Sequence, residues 1–195
     1  MNYSIYVEST PNPEVMKFVS NRMLADKSLE ITTLDEAKGI SIAEELLKFP
    51  FVKSIYLSSN FISISKIGTI EWENIAMQLR TFIADHLNNN PIKNYTENIS
   101  LKKETNIINH ENETPRELNA EEKEIEAILT EYIAPAVESD GGAITLNYYK
   151  DNIVYVDLKG ACSGCPSSTS TLKGGIETLL KQKINPNIKV VANAK

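Results

Sequence analysis

The sequence predicts an α+β protein made of two small domains joined by an Asn-rich linker, and three observations lead there. Residues 1–88 and 119–195 each interleave runs of alternating apolar residues with runs at helical spacing. Between them, residues 89–118 keep neither period. At 195 residues the chain is also longer than one small domain needs.

In the first domain, Tyr3, Ile5 and Val7 alternate as in a half-buried strand. Thr10-Pro11-Asn12-Pro13 follows, a rigid turn in which proline fixes φ and pushes its predecessor toward extended geometry. Val15–Val19 reads as a second strand and Leu29–Thr33 as a short third. Ile40–Phe49 has helical spacing and ends at Pro50. Lys53–Leu57 and Phe61–Ile67 form a hairpin across Ser58-Ser59-Asn60. From Glu71 to Leu87, a helix gathers Trp72, Ile75, Leu79, Phe82, Ile83 and Leu87 on one side.

Eight asparagines fall between Asn88 and Leu118. Such a window buries too little apolar surface to offset its ordering entropy, so a mobile linker is expected there. The second domain opens at Asn119, with Glu122 placed for a capping box. Ile125, Ile128, Leu129, Tyr132, Ala136 and Val137 give its first helix an apolar stripe, which Pro135 should distort. Asp140-Gly141-Gly142 stops that helix. Ala143–Tyr149 and Ile153–Leu158 are strands across the turn at Lys150-Asp151-Asn152. A cysteine loop, a helix carrying Leu172, Ile176, Leu179, Leu180 and Ile184, and a last strand at Ile188–Val191 complete the order α-β-β-loop-α-β.

The net charge of −6 and the lack of a Lys/Arg cluster argue against nucleic-acid binding. No apolar run approaches the ~18 residues of a membrane span. The first residues show no secretory signal, and a cytoplasmic location in a reducing compartment is expected.

The chemistry concentrates in Lys159–Ser168, KGACSGCPSS, which holds the chain's two cysteines as Cys162-Ser163-Gly164-Cys165. Placed at the mouth of a helix, they meet unpaired N–H groups and partial positive charge, which favour thiolate. Pro166 suits the first helical turn. Four readings compete. A zinc site needs four protein ligands, and the remaining candidates, His86 and His110, lie outside the cysteine domain. Inert buried thiols fit poorly with so polar a loop. A thiol–disulfide oxidoreductase uses C-x-x-C at a helix start, although the β-β-loop-α order differs from the βαβ crossover of thioredoxin. An iron–sulfur cluster takes four thiolates, so two chains would share one across a two-fold axis. Spacing alone leaves the last two open.

The surroundings separate them. Asp140-Gly-Gly142, the hairpin, Val156–Ser168 and Thr171-Leu-Lys-Gly-Gly-Ile-Glu177 closely resemble the NifU C-terminal, or Nfu-type, domain. Thr10–Pro13, Lys17-Phe18, Val52–Ile55, Phe61–Lys66 and Trp72 resemble the domain that precedes it in many Nfu proteins. The resemblance implies a non-enzymatic scaffold or carrier with Cys162 and Cys165 as cluster ligands. The cargo would be a [4Fe–4S] cluster ahead of a [2Fe–2S] one, shared by a homodimer when loaded. It would come from a donor scaffold and pass to apo-proteins. Ala143 departs from the pattern, because the family often has an acidic residue there. The N-terminal domain, which lacks cysteine, would bind clients or donors by fold-level analogy alone.

Overall fold

A computed structural model describes residues 2–90, 118–163 and 166–194. The fold is α+β, as expected, and the chain divides into two compact units, Met1–Glu113 and Thr114–Lys195. The greater part of the expected linker, including His110, lies outside the described residues.

The first unit is an antiparallel sheet backed by helices. Strands β1 (Ile5–Ser9), β2 (Val15–Ser20), β3 (Ala25–Ile31), β4 (Val52–Ser59) and β5 (Phe61–Lys66) lie in the order β1-β2-β5-β4-β3. Helices α1 (Leu34–Ala37), α2 (Ser41–Leu46) and α3 (Trp72–Asn89) contribute to one core. Trp72, Ile75, Leu79, Ile83 and Leu87 are the buried stripe of α3. Asn88 clamps the backbone of Tyr3, accepting from its N–H at 2.7 Å and donating to its carbonyl at 3.2 Å.

Three boundaries differ from expectation. β3 starts at Ala25, as an edge strand with an irregular register between Ala25 and Leu29. Thr33 belongs to no strand; with Glu36 it forms the capping box of α1. The second helix is shorter than Ile40–Phe49.

In the second unit, α4 (Ala120–Ile128) runs through a π-helical turn (Leu129–Ile133) into α5 (Ala134–Ser139). The widening belongs to Pro135, whose ring cannot sit against the carbonyl four residues back. Accordingly, the Ala134 N–H reaches the Leu129 carbonyl five residues back. Then come β6 (Gly142–Lys150), β7 (Ile153–Gly160), α6 (Pro166–Lys183) and β8 (Lys189–Ala194). The β6–β7 hairpin turns at Asp151 (φ 52°) and Asn152 (φ 61°), the two left-handed residues of a type I′ turn. β8 pairs parallel to β7, so β7-α6-β8 is a βαβ unit after all. The difference expected from thioredoxin-type connectivity is therefore absent, because that expectation left the last strand unpaired. No helix among the described residues is long and apolar enough to cross a membrane.

Candidate metal centre

The cysteine turn begins where β7 ends, at Gly160, whose φ of 64° suits glycine. The turn is fastened back onto the end of α5. The Ala161 N–H donates to the Gly141 carbonyl at 3.1 Å, and the Ser163 N–H to the Gly160 carbonyl at 3.0 Å. Gly141 has φ 83°, the left-handed stop of the helix, and Gly142 starts β6 directly opposite Gly160.

Of the expected ligands, Cys162 is described and Cys165 lies outside the described residues, as does Gly164. Cys162 is not presented to solvent. It is 6% exposed and belongs to the apolar core of its unit, with Ile144, Val156, Leu158 and Leu180. That differs from the expectation that a buried thiol fits poorly with so polar a loop. The polar sequence around the cysteine said nothing of Gly142, which approaches from the neighbouring strand. A Cβ on Gly142 would stand 3.0 Å from the Cys162 sulfur and 3.1 Å from its amide nitrogen. Asp140-Gly141-Gly142 is thus a helix stop and also the wall of the cysteine turn.

Among the described residues no group of three or more His, Cys, Asp and Glu could hold a metal ion. His86 is engaged within the first unit, where its Nε2 lies 2.9 Å from the Ser41 hydroxyl. Burial lowers its pKa, against a smaller opposing effect of Glu45. Thr10–Pro13 is a bonded turn. The Thr10 hydroxyl lies 2.9 Å from the Asn12 carbonyl, the Asn12 side chain accepts from the Glu14 N–H at 3.0 Å, and Trp72 donates to the Pro13 carbonyl at 3.0 Å.

Two family models match the chain, "Scaffold protein Nfu/NifU N terminal" over residues 5–90 and "NifU-like domain" over residues 125–191. It is 31% identical to the NFU1 iron-sulfur cluster scaffold homolog, mitochondrial, of Drosophila willistoni, over 91% of this chain and 59% of that protein. It is 29% identical to the Homo sapiens protein of the same name, over 91% of this chain and 66% of that protein. For NifU-like protein 4, mitochondrial, of Arabidopsis thaliana, the values are 27%, 93% and 62%. The chain therefore spans about three-fifths to two-thirds of these relatives. A solved NifU-like protein from Saccharomyces cerevisiae is 26% identical over 44% of this chain and 79% of that one, at a TM-score of 0.37. The relatives are named as mitochondrial, which overturns the expected cytoplasmic location. Reduced thiols require a reducing compartment, and that requirement does not single out the cytosol. With both halves matched in this order, the chain belongs to the Nfu/NifU-type scaffold family.

Proposed function

We propose that the protein is a non-enzymatic carrier that receives an iron–sulfur cluster from a donor scaffold and delivers it to apo-proteins. The cargo is a [4Fe–4S] cluster ahead of a [2Fe–2S] one, bound by Cys162 and Cys165 of two chains. The observation that carries this reading is the cysteine count in a scaffold-family chain. Each chain has two thiols where a cluster takes four, so two turns must face each other across a two-fold axis. A cluster gripped by two short turns leaves when the chains separate or when client thiolates displace theirs. The β7-α6-β8 unit favours a second reading, thiol–disulfide exchange, since its cysteine motif precedes a helix between parallel strands.

Anaerobic loading with iron and sulfide separates the two. The carrier should become a dimer by light scattering, with about two irons per chain under the four-thiolate rule. Cys162→Ser and Cys165→Ser should each lose the cluster. A loaded monomer with four irons would end the shared-cluster mechanism. No cluster in the wild type, together with a specific mixed disulfide trapped by Cys165→Ser, would establish the oxidoreductase.

A further inference from the structure

A helix stop needs one left-handed glycine, and Gly141 fills that position with φ 83°. Gly142 has another reason to lack a side chain. A Cβ there would meet the Lys159 carbonyl oxygen at 2.6 Å, the Cys162 sulfur at 3.0 Å and the Cys162 amide nitrogen at 3.1 Å. Two of these three neighbours are backbone atoms that cannot rotate away. The bare Cα therefore leaves the space in which the Cys162 thiol sits, inside the apolar core and 6% exposed.

A sulfur so enclosed cannot reach an iron atom held jointly with a second chain. We propose that Gly142 is the positioning residue for Cys162: it forms the inward seat of the thiol, which leaves that seat through opening of the Ala161–Ser163 turn. Opening breaks two backbone hydrogen bonds, from the Ala161 N–H to the Gly141 carbonyl and from the Ser163 N–H to the Gly160 carbonyl, and can leave the β6–β7 ladder paired. The thiol is thereby sheltered from oxidants and small electrophiles until the turn opens. What the outward position serves rests on the carrier reading; the inward seat does not.

The test uses the full chain with Cys165→Ser, so that Cys162 is the remaining thiol. Alkylation by iodoacetamide is followed by intact mass, without iron, in native buffer and in denaturant. The native rate should be at least about tenfold below the unfolded rate, equivalent to about 1.4 kcal/mol of local opening. At low urea it should hardly change, because a local opening exposes little surface. Adding Gly142→Ala should raise the native rate several-fold with far-UV circular dichroism retained. Should that variant fail to fold, the urea dependence in the Gly142 chain decides. Equal native and unfolded rates, an unchanged rate in folded Gly142→Ala, or a urea slope matching global unfolding would each overturn the proposal. Failure of the wild-type chain to take up iron would count against the carrier reading and leave the seat standing.

Discussion

The carboxylate of Glu122 accepts a hydrogen bond from the backbone N–H of Tyr149 at 3.1 Å, across 27 residues of sequence. Its other oxygen accepts from the Asn119 N–H at 3.0 Å, while the Asn119 side chain accepts from the Glu122 N–H at 2.9 Å. One fully buried residue thus caps α4 and ties it to β6. Glu122→Ala removes the acceptor for the Asn119 and Tyr149 N–H groups, and should cost the second unit about 1–3 kcal/mol. Glu122→Gln, which keeps one acceptor, should cost less. Trp72 is the sole tryptophan and lies in the first unit, so its fluorescence transition should stay in place while the circular dichroism transition shifts. A parallel shift of both would show that the units unfold together.

His86 makes the first unit sensitive to acid. Burial holds its folded pKa below the ordinary value of 6.5, so the unfolded chain binds more protons between the two values. The stability this contributes is full above pH 6.5 and is lost as pH falls toward the folded pKa. The urea midpoint read from Trp72 should fall across this window. In His86→Gln that part of the slope should disappear; if it persists, another group is responsible.

Gly141 and Gly142 should respond differently to alanine. Gly141→Ala forces a side chain into the left-handed region, at about 1–2 kcal/mol, with Asn milder because it visits that region more readily. Gly142→Ala strains backbone contacts, and Asn there should be worse than Ala. The same ranking at both positions, measured by thermal melting, would contradict this division of roles.

Residues 119–195 expressed alone should fold and take up iron and sulfide, since the second unit has its own core. An unfolded fragment, or a folded one that binds no iron, would end the modular reading.

Local pattern made much of the fold legible. The stripe of α3, the capping box at Asn119 and the distortion at Pro135 all follow from side chains close in sequence. β3 was harder, because Asp26, Lys27 and Ser28 show no apolar alternation on an edge strand that buries little. The parallel β7–β8 pair was illegible, since it joins segments that share no turn. In the site, the cysteine pair was plain and the inward position of Cys162 was not. Its burial depends on a neighbouring strand that only the tertiary fold brings near. The signal available was the second glycine of Gly141-Gly142, one more than a helix stop requires.

The parallel pairing of β7 with β8 imposes an order on biosynthesis. β7 meets β6 across a two-residue turn, but its other neighbour arrives 36 residues later, as between Asp157 and Asn193. The core around Cys162 also draws on Ile176 and Leu180 of α6, on Ile188, and on Val190 of β8. On the ribosome, synthesis passes the cysteine turn before it reaches the residues of β8 that finish this core. Until β8 pairs with β7, the apolar core that contains Cys162 is unfinished.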